Sequence, residues 1–399
     1  MRAHDSGAGA ILMRKAGSNL RTPLCGILAL TMLVSAQPSA NYRVLWEREF
    51  GDFADPFFLQ GAGVDQQGDL WVLTEAFTGA RDYSRKQTLF RIDASGVQRR
   101  RDDVEAQISR DLTRELAEYY PAVLPGGPAG FLVHVDRIGG RSNQSRGAFY
   151  APLLKPGSVG MPVRISGVDG PLFWQIVPLA DGDLLAVGDQ SPLAVQKLSP
   201  AGEIRWQRRF WKWLTVPQAA AMEEGESCIV SSAYPRTSDP QELHLLRLDK
   251  NGALQRQARF HGHLGAVAAG PAGACAVFYY DYQPGKMLEA RYHLAVFDRS
   301  FTRQWTRDIP PSVAGRTGEP WCLIALRDGY LASGTAWDGG LFLARYSWSG
   351  DLRWIETLNP SFRREFLLPS ADGFYLIGEK GRPKGPPTSF AVTRAAVLR

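Results

Sequence analysis

The stretch Leu193–Phe210 reads LAVQKLSPAGEIRWQRRF: an alternating strand, a turn that ends in Gly202, and a second strand that contains Trp206. The same phrase returns as LHLLRLDKNGALQRQARF at residues 243–260 and as LFLARYSWSGDLRWIETL at residues 341–358. A further glycine-containing turn and a short apolar strand precede each phrase. A strand-rich unit that repeats about every fifty residues is typical of a β-propeller. The sequence therefore predicts an all-β propeller.

Two sets of landmarks define the units, each of which has four strands that we label A to D from the ring centre outward. The glycines of the A–B turns are Gly68, Gly130, Gly182, Gly225, Gly273, Gly329 and Gly373. The residues near the start of strand D are Trp46, Arg100, Trp206, Arg256, Trp305 and Trp354. The last unit lacks a strand D, and Arg43–Phe50 (RVLWEREF) has the form of one. We predict a single domain over residues 42–399, a seven-bladed propeller of four-stranded antiparallel blades closed by this N-terminal strand.

Two features depart from the repeat. The segment Asp102–Tyr119 contains no glycine or proline, and its apolar residues recur every fourth position, which favours a helical insertion. Such a helix would cover part of one face of the ring or fill a blade edge. Phe301 stands where the other C–D turns have glycine, which predicts a different turn in the fifth unit.

Residues 1–36 have the composition of an export signal. Basic residues precede Leu24–Val34, an apolar run that is too short to span a bilayer as a mature helix, and small residues follow it. A retained membrane anchor is the alternative interpretation. We therefore expect a periplasmic or secreted protein.

The charge of the chain does not favour nucleic-acid binding. The sequence has 46 basic and 40 acidic residues, a net charge of +6. Removal of residues 1–36 takes away four basic residues and one acidic residue, which leaves 42 against 39. Nucleic-acid binding needs a concentrated basic face rather than a balanced surface. We expect no nucleic-acid partner.

Three cysteines remain after residue 36: Cys228, Cys275 and Cys322. An odd number leaves at least one thiol outside any disulfide. Cys228 and Cys275 fall in strands B of neighbouring units at positions of opposite parity, so that their side chains leave opposite sheet faces. Cys322 is too far along its strand to reach Cys275. We interpret all three as small buried apolar residues.

The phrases GEIRWQRRF, GDLRWIETL and RVLWEREF resemble the repeats of bacterial exported β-propellers of the pyrroloquinoline-quinone-like type. The resemblance is one of repeat grammar and covers about residues 42–399. It implies a scaffold whose functions range from protein docking to catalysis. The turns read SPAGEIRW, SWSGDLRW and DASGVQRR, without the Thr-Gly pair of the quinone-docking pattern. We therefore predict no quinone and no other organic cofactor.

Carboxylates recur where strands B end, and strands B all run towards one face of the ring. They are Glu75, Asp136, Asp189, Asp281, Asp338 and Glu379, and the fourth unit has Tyr234 at this place. A ring of acids suits a cation or an amine-bearing ligand, although acids are also common where strands become loops. Tyr280 and Trp337 add aromatic surface to the same B–C loops, which suits stacking on a glycan or peptide. We predict a ligand site on the face that these loops form.

His261 and His263 lie where the chain crosses from the fourth to the fifth unit, on the same face. Two histidines at this spacing can share a divalent cation, although the third ligand is not identifiable, and a structural role is the alternative.

No nucleophile or catalytic triad is recognisable in the sequence. We therefore predict a non-catalytic, monomeric scaffold that binds a protein, peptide or glycan. We expect no contact with a membrane beyond the signal segment. The alternative is a polymer-acting lyase or hydrolase, or a degenerate quinoprotein, that uses the acids and histidines at the channel mouth.

Overall fold

The protein is a seven-bladed β-propeller. The computed structural model describes residues 41–51, 57–77, 85–104, 116–124, 127–136, 145–155, 158–166, 172–189, 193–210, 214–233, 242–281, 291–310, 320–335, 341–358, 362–381 and 387–398. These residues form seven antiparallel sheets, in agreement with the predicted fold. None of the described residues belongs to a helix long and apolar enough to cross a membrane. The proposed signal segment lies outside the described residues and stays a prediction.

Blades 1 to 6 each contain strands A to D in chain order. Blade 1 consists of Phe57–Val64, Leu70–Phe77, Arg85–Ile92 and Gln98–Asp103. Blade 2 consists of Leu116–Leu124, Gly127–Asp136, Ser145–Lys155 and Val163–Arg164, with Ser158–Val159 paired to its strand C. Blade 3 consists of Leu172–Pro178, Leu184–Asp189, Leu193–Leu198 and Ile204–Phe210. Blade 4 consists of Leu214–Ala221, Ser227–Ala233, Glu242–Leu248 and Leu254–His261.

The remaining blades follow the same plan. Blade 5 consists of His263–Ala269, Cys275–Asp281, Arg291–Phe297 and Arg303–Asp308. Blade 6 consists of Pro320–Leu326, Gly329–Thr335, Leu341–Ser347 and Leu352–Leu358. Blade 7 consists of Phe362–Pro369, Gly373–Gly381 and Pro387–Val397, and Tyr42–Phe50 is its strand D. Short 3-10 turns, Glu223–Gly225 and Pro271–Gly273, join strands A and B of blades 4 and 5.

The N-terminal strand closes the ring as predicted. Tyr42–Phe50 pairs antiparallel with Pro387–Val397 in a register that runs from Tyr42 opposite Val397 to Phe50 opposite Phe390. The stacked rings of Phe50 and Phe390, 5.5 Å apart, anchor one end of this pairing. The last blade therefore has its fourth strand, and the backbone edge of Pro387–Val397 is paired.

The core lies between the blades. Because side chains alternate between the two faces of a strand, each sheet buries one set against the preceding blade and the other set against the next. The described residues contain seven clusters of buried apolar side chains, one for each junction between neighbouring blades. Burial of these faces is the main driving force that holds the ring together.

A disulfide joins Cys228 of blade 4 to Cys275 of blade 5, with their Cα atoms 6.6 Å apart. The prediction that these cysteines are separate buried thiols is therefore wrong. Blades stack face to face, so side chains that leave opposite faces of successive sheets point towards each other. The opposite parity of the two positions thus favours the bond, and both cysteines belong to the same buried cluster. Cys322 takes no part in it.

At three junctions, a tryptophan of strand D docks on the C–D turn of the next blade. The docked residues are Trp46, Trp206 and Trp305, and their indole N–H groups donate to the carbonyls of Ala94, Lys250 and Trp348 at 2.9, 2.9 and 3.0 Å. The ring covers the turn glycine. At Gly252, which has a φ of 76°, an added Cβ atom would lie 2.7 Å from the Trp206 ring. This turn therefore requires glycine for both conformation and space.

The junction between blades 4 and 5 lacks this arrangement. Arg256 replaces the tryptophan, and Phe301 replaces the turn glycine. The turn itself is unchanged, because Phe301 N donates to Asp298 O at 2.9 Å as Gly252 N does to Asp249 O. Phe301 adopts a φ of 64° and packs into the buried cluster of the junction. The prediction of a different turn in the fifth unit is therefore wrong, since without a tryptophan above it the turn has room for a side chain.

A second link repeats inside the blades, between a basic residue of strand C and an acid beside the A–B turn. The pairs are Arg91–Asp69, Lys197–Asp181, Arg247–Glu226, Arg345–Asp328 and Arg394–Asp372. Blade 5 has neither member, since Val296 stands in strand C and the turn is Pro271–Gly273. Arg247 of blade 4 compensates by donating to Gly273 O at 3.0 Å.

The predicted helical insertion over residues 102–119 is wrong at both ends. Asp102 and Asp103 belong to strand D of blade 1, and Leu116–Leu124 is strand A of blade 2, paired with Gly127–Asp136. Residues 105–115 lie outside the described residues. Residues four positions apart lie on one face of a strand as well as on one side of a helix. The spacing alone therefore did not exclude a strand that pairs with strand B. In blade 2 the turn also precedes Gly127, and Gly130 lies inside strand B.

Candidate functional site

Strands B end, and strands C begin, at one end of the ring, which we call the B–C end. All seven B–C loops lie outside the described residues, as do the predicted site residues Tyr234, Trp337 and Asp338. The other predicted residues are described at least in their backbone. Six of them lie near the ends of strands B: Glu75, Asp136, Asp189, Tyr280, Asp281 and Glu379. The other two, His261 and His263, flank the crossing between blades 4 and 5.

The register divides the predicted acids into two sets. In six blades strand A has a bulge near the B–C end, which gives a common reference point. Relative to it, Glu75, Asp189 and Asp281 occupy the same position in blades 1, 3 and 5. Glu379 lies one residue closer to the A–B turn, opposite Arg363. A shift of one residue turns a side chain to the other sheet face, so Glu379 does not join the set.

The three acids whose side chains are described have separate partners. Glu75, with 2% of its surface exposed, accepts a hydrogen bond from the side chain of Gln60. Glu379, equally buried, accepts one from Leu59 N of the next blade at 2.8 Å. Asp281 Oδ1 lies 3.2 Å from His293 Nε2. The described residues thus place two of these acids inside the fold and leave Asp281 at the surface.

Blade 5 collects the predicted residues that lie close together. We call the group at its B–C end the blade-5 cluster, which consists of His263, Tyr279, Tyr280, Asp281, Tyr292, His293 and Asp308. The rings of His263 and Tyr280 stack with centroids 5.0 Å apart, and Tyr280 contacts Tyr292 at 5.9 Å. On the other sheet face, the Tyr279 and His293 rings lie 5.1 Å apart. Both faces of this strand end are therefore aromatic.

His293 lies between two carboxylates. Its Nδ1 atom is 2.8 Å from Asp308 Oδ1, and its Nε2 atom is 3.2 Å from Asp281 Oδ1. The His293 side chain is only 12% exposed, whereas those of Asp281 and Asp308 are 35% and 70% exposed. Both carboxylates therefore reach solvent beside the imidazole, which is hydrogen-bonded to Asp308 through Nδ1. They can accept hydrogen bonds from, or pair with, a cationic or hydroxyl-bearing ligand.

Burial shifts two pKa values in the blade-5 cluster. It lowers the pKa of His263, so that the imidazole is neutral at pH 7. It also raises the pKa of the Tyr279 phenol, an effect that Arg303 opposes and that Asp281 and Asp308 reinforce. The cluster thus places two exposed carboxylates beside a group of mostly buried aromatic rings, of which Tyr280 reaches solvent in part.

The two histidines predicted as metal ligands lie in different environments. His261 is exposed at the end of strand D of blade 4, and His263 is buried at the start of strand A of blade 5. Gly262 between them passes so close to Tyr279 that an added Cβ atom would lie 2.6 Å from its ring. Within the described ranges, no three His, Cys, Asp or Glu side chains are placed to hold a metal ion. Their role as cation ligands stays a prediction.

Sequence reasoning missed His293 and Asp308. Both follow from the register, since His293 is the cross-strand neighbour of Tyr279 on one side and of Asp308 on the other. Tyr280, predicted to lie in a B–C loop, belongs to strand B itself. Once that strand is placed, pairing its residues with HLAVF and RQWTRD would have located both.

A cavity of about 530 Å³ lies at the opposite end of the ring, which we call the turn end. Its walls include Val64, Pro178 and Pro369, from strands A of three blades, and its rim includes Asp65 and Arg394. These charged groups are engaged in the fold. Asp65 accepts from the indole N–H of Trp71 at 2.9 Å, and Arg394 donates to Ala94 O at 2.7 Å. The cavity offers apolar volume rather than a free charged group.

No protein-family model and no curated protein sequence matches the chain. Among solved structures, the chain is similar to the polysaccharide lyase Uly1, with a TM-score of 0.57 and 10% identity over 89% of this chain and 100% of that one. It is also similar to the propeller domain of the Trilobed protease from Pyrococcus furiosus, with a TM-score of 0.51 and 10% identity over 88% and 97%. A third is a catalytically inactive variant of virginiamycin B lyase from Staphylococcus aureus with quinupristin, with a TM-score of 0.50 and 11% identity over 88% and 99%. Such low identities bear on the fold alone.

Proposed function

We propose that this chain is an exported, non-catalytic propeller that binds a protein, peptide or glycan at its B–C end, with the blade-5 cluster as anchor. The observation that carries the proposal is that one strand end carries the partly exposed ring of Tyr280 on one sheet face and the exposed carboxylates of Asp281 and Asp308 on the other. Aromatic rings supply contact area for sugar or peptide groups, and carboxylates accept hydrogen bonds from hydroxyl or ammonium groups. A site built on strands is also positioned in advance, which lowers the cost of ordering on binding.

The disulfide supports the proposed export. Disulfides form and persist in oxidising compartments and are rare in the cytosol. The bond between Cys228 and Cys275 is therefore consistent with residues 1–36 acting as an export signal. A periplasmic or secreted location follows as part of the proposal.

A binding experiment tests the anchor. Glycan and peptide arrays would identify a ligand, and calorimetry would compare the wild type with Asp281→Asn and Asp308→Asn. Loss of a charged hydrogen bond costs about 1.5 to 3 kcal/mol, so each variant should bind at least about tenfold more weakly. Asp249→Asn makes the same charge change at the turn end and should bind as the wild type does. Equal binding by all four proteins would remove the blade-5 cluster from the function.

The second candidate is a lyase or hydrolase that acts on a polymer. The observation that favours it is the stacking of a neutral, buried His263 on Tyr280, because a neutral imidazole beside a phenol can transfer a proton. Cleavage of each ligand that the arrays identify would be measured by the release of reducing ends. Turnover that His263→Ala abolishes while binding persists would establish the enzyme, and binding without turnover would favour the scaffold.

A further inference from the structure

Positive charge is concentrated on the outer strands of three consecutive blades. Strands D of blades 3, 4 and 5 carry seven arginines and one acid, Asp308. Strands D of blades 6, 7 and 1 carry six arginines and five acids. All members of the first set are exposed, and we call them the arginine band: Arg205, Arg208, Arg209, Arg256, Arg259, Arg303 and Arg307. The nearly neutral total charge of the chain therefore conceals a strongly basic sector.

The arginine band has few counter-charges in the described part of the chain. Only Arg205 has carboxylate partners there, 3.1 Å away on Glu203 and 3.9 Å away on Asp183, and Asp308 is held by His293. Arg208 and Arg307 donate to backbone carbonyls of the next blade, at Asn251 and Gly350. These two arginines strap the blades together.

Arg303 packs over the rings of Phe260 and Phe297. Among the contacts of the described residues, the remaining three members of the arginine band, Arg209, Arg256 and Arg259, have neither an ion pair nor a bond to the next blade. Arg256 donates only to the carbonyl of its neighbour Gln255. Arg259 lies close enough to His244 for its charge to help lower the pKa of that imidazole, although burial is the larger cause. Like charges on neighbouring strands repel, and a polyanion would relieve this repulsion.

We propose that the arginine band docks an anionic polysaccharide whose carboxylate or sulfate groups bind the exposed guanidinium groups. The planar guanidinium donates two parallel hydrogen bonds to such groups. The exposed amide of Gln207 adds a donor and an acceptor for sugar hydroxyls on the same strands, whereas the amide nitrogens of Gln255 and Gln257 already contact Asp249 and His244. Because the arginines extend over three blades, the geometry fits an extended polymer better than a single small anion. The band lies on the outer strands, so this inference does not depend on the blade-5 cluster.

Two other polyanions fit the surface less well. Single-stranded nucleic acid needs aromatic rings on which bases stack, and the rings of Trp206 and Trp305 are covered by the turns of the next blades. A bilayer surface needs apolar anchors beside the charges. The exposed aliphatic residues are not concentrated in the arginine band. Ile204 and Leu254 lie on its blades 3 and 4, but Val44 and Leu352 lie outside it, on blades 7 and 6.

The test compares two triple variants with the same change of charge. Arg209→Gln/Arg256→Gln/Arg259→Gln removes the three uncommitted arginines, and Arg43→Gln/Arg48→Gln/Arg353→Gln removes three exposed arginines from the opposite rim. The probes are polygalacturonate, dextran sulfate and neutral dextran at several salt concentrations. We expect the wild type to bind the two anionic polymers and not neutral dextran. The first variant should lose at least about tenfold in affinity and have a smaller salt dependence, whereas the second should stay within about twofold.

Each other outcome overturns the proposal. Absence of wild-type binding to both anionic polymers does so directly. An equal loss in both variants would make net charge, rather than the arginine band, the cause. Equal or tighter wild-type binding to a thymidine 30-mer, or to phosphatidylglycerol–phosphatidylcholine vesicles, would assign the band to another partner. Equal urea midpoints of the three proteins would verify that the changes act on binding and not on folding.

Discussion

Two neighbouring junctions of the ring fill the same space in different ways. Between blades 3 and 4, the Trp206 ring covers Gly252 and its indole N–H donates to the Lys250 carbonyl. Between blades 4 and 5, the equivalent residue is Arg256, the turn residue is Phe301, and a disulfide joins the two strands B. One junction depends on an aromatic ring that packs on a bare backbone, and the other on a covalent bond and a side chain that rises from the turn.

The difference shows which residues depend on each other. A tryptophan in one blade demands glycine in the next, and its loss permits a large side chain there. The charged groups at this junction also depend on each other. Blade 5 lacks both the basic residue of strand C and the acid beside the A–B turn, and Arg299 of blade 5 pairs with Glu226 of blade 4, which also binds Arg247. The structural unit that tolerates variation is therefore the junction rather than the single blade.

The largest expected effect is the loss of the disulfide between blades 4 and 5. It closes a loop with a sequence separation of 47, for which chain entropy predicts about 4 kcal/mol of stabilisation. The double variant Cys228→Ala/Cys275→Ala should lower the free energy of unfolding by about that amount in urea titrations. Cys322→Ala, outside the bond, is the control and should lose much less. A double variant as stable as the wild type would mean that the junction does not need its cross-link.

Removal of the aromatic ring between blades 3 and 4 should come next. Trp206→Ala deletes a half-buried ring and its hydrogen bond, which should cost about 2 to 3 kcal/mol. Ile204→Ala changes an exposed residue on the same strand and should cost less than about 0.5 kcal/mol. Urea midpoints measure both. Similar values for the two variants would contradict a docking role for the tryptophan.

A double-mutant cycle sharpens the comparison by rebuilding one junction as the other. Gly252→Phe should be strongly destabilising in the wild type, because the new side chain meets the Trp206 ring. In a Trp206→Arg background, which copies Arg256 and Phe301, the same change should cost about 1 to 2 kcal/mol less. Additive effects would show that the co-occurrence of Arg256 and Phe301 has another cause.

The smallest effect is a pH dependence inside blade 3, at its turn end. Burial alone would raise the pKa of Asp181, but the hydrogen bond and charge of Lys197 hold it below its ordinary value. The ion pair therefore stabilises the fold above about pH 4 and loses this contribution as the pH falls further. The carboxyl group is partly exposed, so the effect should stay below about 1 kcal/mol.

Urea titrations of the wild type and Asp181→Asn at pH 7 and pH 3 measure that difference. The gap between the two proteins should be larger at pH 7 than at pH 3. A gap of equal size at the two pH values would assign the effect to packing rather than to charge.

The repeat grammar predicted the fold because each part of it has a local physical meaning. Alternating apolar residues indicate a strand, and glycine indicates a turn. The pattern of Arg43–Phe50 matched the one strand that the last unit lacks. What failed were inferences that needed the neighbouring blade. The parity of Cys228 and Cys275 was correct, but its consequence reverses once sheets stack face to face. Phe301 looked anomalous only because the tryptophan that makes glycine necessary belongs to another unit.

The candidate site was less accessible to sequence reasoning, because its geometry depends on register. Counting residues from the turn placed Glu379 with Glu75, although a one-residue difference at the strand-A bulge turns them to different faces. His293 carried no local signal, since its carboxylate neighbours come from two other strands. Tyr280, Asp281 and His263 were found because they lie beside a strand end that the repeat had already located.

The pairing of Tyr42–Phe50 with Pro387–Val397 has a consequence for the order of assembly. A ribosome produces the first of these segments long before the second, so the earliest strand must wait, without its partner, for nearly the whole remaining polypeptide. Blades 1 to 6 are each contiguous in sequence and can form as they emerge, whereas the seventh cannot. The circle can therefore be completed only after Pro387–Val397 has been synthesised, and the closing strand remains unpaired until then.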